Sequence, residues 1–410
     1  MAHFALICPP FASHIHSMSV LGEELARRGH RATFVLNAGS EVGRTQLPLL
    51  TVPARSGDPP VERVLANATR PGGLLGTLRT IADSAAMTDQ LCAGGRDVLT
   101  SIGADAIISD QLEPAGGLLA RALDLPLVSL AAALPINSAP GVPLPFLDWP
   151  YDPSPRGQHK ARVVARIGEL LSRKQKRVIT EWGASTGRDL RLRTMEDCLS
   201  PTAQIAQVVR GYDFPRPEPI PFEGVGPLRR PEEERGDEPL PFAFDSERPL
   251  VFATFGTLQG GRSKLFNRIA AACRELGADL LVAHGGKLTE AEAARIGATF
   301  VTDFVPYRAV LKRAALCITH GGSNTVLDAL ACGVPLLVQP VAFDQKGNLA
   351  RIVYHRLGER LASSPTLAAQ IRRVLGHPGY RTRAQQLARE IAGAGGRTRA
   401  ADIAEEALSG

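Results

Sequence analysis

Between Phe304 and Asn348 this 410-residue chain gathers side chains that bind charge and hydroxyl groups. At the centre stands His320-Gly321-Gly322-Ser323-Asn324-Thr325. Before it runs the apolar stretch Ala315 to Thr319, and after it Val326, Leu327 and Leu330 recur at helical spacing. That order reads as strand, tight turn and helix start. Glycines let a backbone approach an anion closely. The free N–H groups of a first helical turn, with the helix dipole, favour that anion. Asp328 lies four residues after Asn324 on the same helix face. A carboxylate there can accept both hydroxyl protons of a ribose diol. A second short strand, Leu336 to Val338, leads through Pro340 to Asp344-Gln345-Lys346-Gly347-Asn348, groups suited to a ring of hydroxyls. A capped turn alone uses the same residue types. Two successive strand ends carrying polar side chains point instead to a sugar joined to a nucleoside diphosphate.

The other chemistry lies near the N-terminus. Pro9-Pro10-Phe11-Ala12-Ser13-His14 follows the first apolar run and reads as a loop at a strand's C-terminal end. A neutral histidine there suits a general base at physiological pH. His16 is a rival two residues on. An aspartate that holds the imidazole tautomer would complete a pair. Asp110 follows the strand Ala106 to Ser109, so its strand end opens on the same side of the sheet. Asp105 precedes that strand and belongs at the opposite edge.

These residues need elements to position them. His3 to Cys8 reads as a strand, Ser17 to Arg28 as a helix and Arg31 to Leu36 as a strand, a βαβ start of right-handed crossover without GxGxxG. Ala106 to Ser109, a helical run to Leu123 and Pro126 to Leu130 continue the alternation. Segments 52–75 and 135–155 are rich in Gly and Pro and read as loops. Nine prolines from Pro215 to Pro249, with the acidic run Glu232 to Glu234, read as an interdomain linker that cannot pack a core. The alternation restarts with Leu250 to Phe255, a helix to Glu275 and Leu280 to Ala283. Two βα-rich halves make a doubly wound α/β pair with the ligand cleft between them.

Composition narrows the class. Hydrophobic residues make up 44% and charged residues 21%, as in soluble globular proteins. The net charge of +6 is spread along the chain, and the few aromatics (5%) are not interleaved with basic runs, so nucleic acid is not an expected partner. The six cysteines, at 8, 92, 198, 273, 317 and 332, form no CxxC pair and read as free thiols of a reducing compartment. The start Met1-Ala2-His3-Phe4 lacks a basic region and soon meets Pro9-Pro10, unlike a signal peptide. No apolar stretch reaches spanning length, so a cytoplasmic location is expected.

The 304–348 stretch resembles the donor-site signature of the UDP-sugar-using GT-B glycosyltransferases, glycosyltransferase family 1. That signature opens on an aromatic residue, here Phe304, and passes through a His-Gly-Gly-like turn. An acidic residue follows eight positions after the histidine, here Asp328, and the signature closes on Asp344-Gln345. The resemblance implies that Phe304 and Val305 flank the uracil, and that His320, Gly322, Asn324 and Thr325 hold the diphosphate. Asp328 would bind the ribose, and Asp344 with Gln345 the sugar hydroxyls. Plant members carry Trp at the position of Phe304 and Glu at that of Asp328. A closer resemblance, to bacterial zeaxanthin glucosyltransferases, runs over nearly the whole chain. It is carried by Pro9-Pro10-Phe11, Ser13-His14, Arg28-Gly29-His30-Arg31, Asp110-Gln111-Leu112-Glu113-Pro114-Ala115-Gly116, Ala342-Phe343-Asp344-Gln345 and Ala350 to His355. Phe252 to Gly260 resembles the opening of their donor domain and adds Gly256 and Thr257 to the donor site; the region of Tyr307 departs from the pattern.

The implied fold is α/β of GT-B type, two Rossmann-like domains facing a cleft. The expected division is an acceptor domain over 1–212, a linker over 213–248, a donor domain over 249–385 and C-terminal helices over 386–410 that pack back on the first domain. The implied reaction is one inverting displacement, glucose passing from UDP-glucose as co-substrate to a carotenoid hydroxyl, with His14 as base and Asp110 as its partner. No metal is expected, since the turn, the helix N-terminus and His320 can carry the leaving charge. A long apolar acceptor calls for an apolar lining, for which Leu134, Pro135, Leu144, Pro145, Phe146 and Leu147 are candidates. Residues 156–177 hold eight Arg and Lys against one Glu, with Val163, Ile167, Leu170 and Leu171 at helical spacing. Such a helix suits peripheral contact with the inner face of a membrane, or simply packs its apolar stripe on the domain. The alternatives are a UDP- or dTDP-sugar transferase acting on a polyketide or other lipophilic alcohol, a nucleotide-sugar binder that has lost its base, and a UDP-sugar epimerase. The last two do not need the His14–Asp110 pair.

Overall fold

The computed structural model describes residues 1–69, 73–186, 192–244, 247–363 and 366–409. The apolar runs assemble into two sheets. The first takes β1 (His3–Ile7), β2 (Arg31–Asn37), β3 (Leu49–Val52), β4 (Ala106–Asp110), β5 (Leu127–Ala131), β6 (Gln204–Ala206) and β7 (Glu223–Gly224), in the order β3-β2-β1-β4-β5-β6-β7. The second takes β8 (Leu250–Thr254), β9 (Asp279–Ala283), β10 (Phe300–Thr302), β11 (Ala314–Thr319), β12 (Leu336–Val338) and β13 (Gly358–Arg360), in the order β10-β9-β8-β11-β12-β13. The pairs are parallel in both sheets, so helices must cover both faces. That is why β1, β4, β8 and β9 are buried along their whole length and are mostly apolar, with polar residues only at their ends. In each sheet the strand order reverses once, between β1 and β4 and between β8 and β11, and the crevices at these switch points lie at the C-terminal strand ends.

Four expectations are corrected. The first helix runs Ala12–Arg27 rather than from Ser17, which puts His14 in its first turn and not in a loop. Pro9 and Pro10 precede the extended N-cap Phe11 and so leave the helix free to start at once. Segment 52–75 is not all loop. Val61–Thr69 and the start of the 30-residue helix Gly73–Ile102 lie in it, while 70–72 fall outside the described residues. The prolines there stand before the helices, where they are tolerated. Segment 135–154 carries no helix or strand.

The proline-rich stretch is also more than a connector. Its β7 adds to the first sheet beside β6, and Val225 and Leu228 are fully buried in that sheet's core. Prolines flank the paired residues without occupying them, so the ladder keeps its donors. The basic segment 156–177 is two helices, Pro155–Leu171 and Arg173–Ser185, parted at Ser172.

The two halves share a core. Leu134, Val208, Val209 and Tyr212 of the first half pack with Val326, Leu330, Leu349 and Ile352 of the second. After the helix Pro378–Gly393 the chain turns at Gly395 and Gly396, both at positive φ (88° and 53°). The last helix, Gly396–Glu406, then lies against the first half, with Ala400, Ala401, Ile403 and Ala404 buried in its core and Arg28 paired to Asp402 and Glu405.

A buried charge cluster fixes the junction. Asp213 accepts from Arg351 Nε at 2.8 Å and from Arg216 Nε at 2.6 Å. Arg351 Nη2 is 2.7 Å from the same Asp213 oxygen but outside hydrogen-bond geometry, so it acts there by charge. Arg351 is fully buried, and its guanidinium lies 4.5 Å from the Phe214 ring centroid. Removing one partner of a buried pair leaves an uncompensated charge, at a cost of roughly 3–5 kcal/mol. Asp213→Ala strands two guanidinium groups and should lower the thermal unfolding temperature sharply. Arg351→Met leaves Asp213 with Arg216 and should lower it distinctly less. Equal losses, read by circular dichroism, would contradict this ordering.

Candidate active site

The His14–Asp110 pair is formed by parallel neighbours. β1 and β4 run side by side in register Ile7↔Ser109, so the turn after β1 and the last residue of β4 emerge together. His14 Nδ1 lies 2.8 Å from Asp110 Oδ2, and both side chains are buried. Asp110 Oδ1 accepts from the Leu112 backbone N–H at 2.8 Å, which holds the carboxylate plane. An ionised carboxylate only accepts, so the proton sits on Nδ1 and Nε2 keeps its lone pair. Burial works to lower the His14 pKa. The Asp110 charge and hydrogen bond, with Asp344 further off, outweigh it, and the net shift is upward.

His16 meets a different fate on the same helix. Burial, then the charges of Arg229 and Arg230, lower it to about 4. Its Nε2 is 3.4 Å from Glu233 and its Nδ1 3.4 Å from Arg230, so it is held by the segment joining the two sheets. Asp105 lies where the sequence puts it, at the far edge, accepting from the His3 backbone N–H.

Across the cleft, β11 ends at Thr319 and the helix Ser323–Ala331 begins three residues after His320. Gly321 has φ +91, and a Cβ there would stand 2.7 Å from Val338 Cγ1 and 3.2 Å from the Gln345 carbonyl oxygen. Only glycine fits. The His320 ring lies between two more glycines: a Cβ on Gly322 would approach Nε2 to 2.6 Å, and one on Gly256 would approach Cε1 to 3.0 Å. Burial, then the charge of Arg262, lowers His320 to about 4, so it is a neutral donor or acceptor. Arg262 shares an open pocket with Lys264, Arg268 and Gln339. Thr325 is buried in the first helical turn, where Asn324 Oδ1 has no hydrogen-bond partner. Thr257 lies in the short helix Gly256–Gln259, with its side chain outside the described residues.

The Asp344 turn closes the cleft. Asp344 is drawn to the glycine turn by Ser323 Oγ, which donates to Oδ2 at 2.6 Å, and by Asn348 Nδ2 at 3.2 Å. Burial pushes its carboxyl up, against the hydrogen bond from Ser323 and the proximity of His14. Phe343, just before it, is a non-glycine residue at φ +53, a conformation that needs support from its surroundings. Its ring faces Phe11 at 6.2 Å between centroids, across the cleft from His14. Gln345 is buried, and its Oε1 accepts the N–H groups of Val341 and Ala342. Half of its amide is thereby spent on the turn, and only Nε2 remains for a ligand. Phe304 is 64% exposed beside Gly286, an open ring face, while Val305 is half-buried against the shared core. Asp328 is buried and ion-paired to Arg229 at 2.8 Å.

Of the proposed apolar lining, Leu134 is buried against Gly347 and the Pro145 carbonyl packs on the same glycine, whereas Phe146 is 51% exposed. Sequence reasoning missed Tyr212, Arg229 and Arg262. Tyr212 donates to Asn348 Oδ1 at 2.7 Å, and Asn348 in turn donates to the Gly321 carbonyl at 3.0 Å. These partners come from distant parts of the chain and carry no local spacing signal.

Residues 271–406 match the family described as the erythromycin biosynthesis protein CIII-like C-terminal domain. The zeaxanthin glucosyltransferase of Pantoea ananas is 40% identical over 93% of this chain and 90% of its own length. That of Pseudescherichia vulneris is also 40% identical, over 92% and 91%. The crystal structure of CalG4, the calicheamicin glycosyltransferase, superposes with a TM-score of 0.74 at 22% identity, covering 100% of this chain and 98% of that one, which identifies the fold as GT-B. With both halves matched and the two sheets facing one cleft, the chain belongs to the GT-B glycosyltransferases of the zeaxanthin glucosyltransferase family and is an enzyme that transfers sugar.

Proposed function

We propose that this enzyme moves glucose from UDP-glucose to a hydroxyl of a carotenoid such as zeaxanthin, with inversion at the anomeric carbon. The carotenoid comes from the two relatives at 40% identity, both zeaxanthin glucosyltransferases. The observation that carries the chemistry is the buried His14–Asp110 pair set across the cleft from Asp344. In this reading the half built on the first sheet takes the acceptor and the half built on the second takes the donor.

The donor's uracil stacks on the exposed face of Phe304 beside Val305. Asp328 accepts from the ribose. The N–H groups at Gly322, Asn324 and Thr325, with His320 and the backbone at Gly256 and Thr257, hold the diphosphate. Asp344 and Gln345 Nε2 read the glucose hydroxyls. The acceptor oxygen attacks the anomeric carbon as the bond to the diphosphate oxygen breaks, and the acceptor proton passes to His14 Nε2. Asp110 stabilises the imidazolium that forms. The departing UDP takes up its charge against the helix N-terminus and the Arg262 side chain, which supports a reaction without a metal.

The acceptor is apolar, and the enzyme meets it at a lipid surface. On the helix Pro155–Leu171, Val163, Ile167 and Leu170 are 41%, 50% and 53% exposed, so this stripe is not packed on the domain. Basic residues flank it, among them Lys160, Arg166, Arg173 and Lys174, which complements anionic lipid at the inner face of the cytoplasmic membrane. Among the described residues no helix is long and apolar enough to cross a membrane.

Incubation with UDP-glucose and a panel of hydroxylated carotenoids, polyketides and simple lipophilic alcohols should give hexosyl adducts of the carotenoids first, by mass. Preferred turnover of a polyketide would replace this reading. His14→Ala should cut transfer by roughly 10²- to 10⁴-fold while UDP binding persists, and full activity in it would remove His14 as base. The working form of His14 is neutral, so kcat/KM should fall as pH drops through its raised pKa. Asp110→Asn removes the cause of that rise. The acid limb should move to lower pH while the maximal rate falls, and an unmoved limb would separate Asp110 from the base. Wild-type protein should float with anionic vesicles, and neutralising Arg173, Lys174, Arg177 and Lys176 should abolish it. Equal flotation of both proteins, or none, would sink the membrane contact.

A further inference from the structure

Asp328 does not stand alone. Its Oδ1 accepts from Arg229 Nε at 2.8 Å, with the two side chains only 10% and 4% exposed. Arg229 comes from the segment that joins the two sheets, 99 residues earlier. Its other nitrogens are also committed. Nη2 donates to the Asn324 carbonyl oxygen at 3.1 Å, and Nη1 to the Leu228 carbonyl oxygen at 2.6 Å. One guanidinium therefore holds both the carboxylate of the helix Ser323–Ala331 and the backbone of its first turn. A planar fork with fixed donors sets the plane and rotamer of its partner in a way a flexible ammonium does not.

Arg229 is itself anchored on the acceptor side. Leu228 N–H donates to Gln207 Oε1 at 2.8 Å, and Arg229 Nη1 lies 3.5 Å from the same oxygen. Gln207 Nε2 donates to Ser17 Oγ at 3.0 Å and to the Ala132 carbonyl oxygen at 2.7 Å. Ser17 lies on the helix Ala12–Arg27, three residues after His14. Three bonded steps, through Gln207 and Arg229, thus join the helix that carries the base to the carboxylate of the nucleotide half.

The geometry points to Arg229 as a positioning residue for nucleotide recognition: it fixes Asp328 so that Oδ2 meets the ribose 2′-hydroxyl, and it sets the first turn of the diphosphate helix in the same act. This rests on the reading that Asp328 accepts from the ribose. Among the described residues Oδ1 accepts from Arg229 and none donates to Oδ2, and the side chain is 10% exposed. Without Arg229 the carboxylate loses the partner that orients it. Discrimination between ribose and deoxyribose is then the property most exposed to its loss.

The test is calorimetric binding of UDP and of dUDP, which differ only in the 2′-hydroxyl, to wild-type enzyme, Arg229→Met, Arg229→Lys and Asp328→Asn. Wild type should favour UDP by about tenfold or more, as for a hydroxyl donating to a charged group. Arg229→Met should bring the two affinities close together, and Arg229→Lys should fall between. If Arg229→Met does not fold, Arg229→Lys decides, because it keeps the compensating charge: an undiminished UDP preference in it overturns the proposal. A preference lost in Asp328→Asn but intact in the Arg229 variants means that Asp328 reads the ribose without Arg229, and the proposal fails alone. A preference intact in Asp328→Asn removes the ribose reading, and the positioning role falls with it. A lowered unfolding temperature with an unchanged UDP-to-dUDP ratio in the Arg229 variants assigns that pair to structure only.

Discussion

A parallel strand can be followed by another in the same sheet only if the chain returns to the starting edge. Every strand of a parallel sheet therefore ends on one side. Both sheets of this enzyme obey that rule, and their chemistry follows from it. His14 comes just after β1 and Asp110 at the end of β4, neighbours at a switch point. His320 comes just after β11, and the Asp344 turn follows β12, its neighbour. Neither half can spread its reactive groups over both edges. The two working edges then have to be faced toward each other, and the shared apolar core with the Asp213 cluster holds them so.

Three histidines near the cleft illustrate how far a neighbour decides function. His14 and His16 are two residues apart on one helix, and burial pushes both down. The hydrogen-bonded carboxylate of Asp110 turns the first upward, whereas burial and two guanidinium groups hold the second near 4 against the carboxylates around it. His320, close to Arg262, follows His16. Residue type set the range of chemistry at each position, and the charge that the fold brought alongside selected from it.

The local parts of this arrangement were legible in the sequence. Apolar runs of four to six residues bounded by Gly, Pro and Asp mark β1, β4, β8 and β11, because strands buried on both faces leave that signature. The glycine turn was legible since a positive φ and a close approach admit little else. Proline and glycine counts misled where position mattered more than number. Prolines before a helix do not break it, and prolines beside β7 do not prevent its pairing. Segment 156–177 reads as one helix because its charge pattern runs through Ser172, where the backbone turns. The pairs Arg229–Asp328 and Tyr212–Asn348 span 99 and 136 residues, and no spacing rule reaches that far. Gln345 shows a subtler limit. Its type promised a hydroxyl reader, yet the turn consumes its carbonyl, and which half of an amide stays free is settled only by folding.

The return of the last helix to the first half has a mechanical meaning. The polypeptide passes between the halves twice, once through the segment after β7 and once at Gly395 and Gly396. Two bodies tied at a single point can swing and twist in any direction. Two ties define a line, and the motion left cheap is rotation about it, as with a door hung on a pair of hinges. Any opening of the cleft then separates His14 from Asp344 along one arc and returns them along the same arc, to the register that the shared core and the Asp213 cluster set.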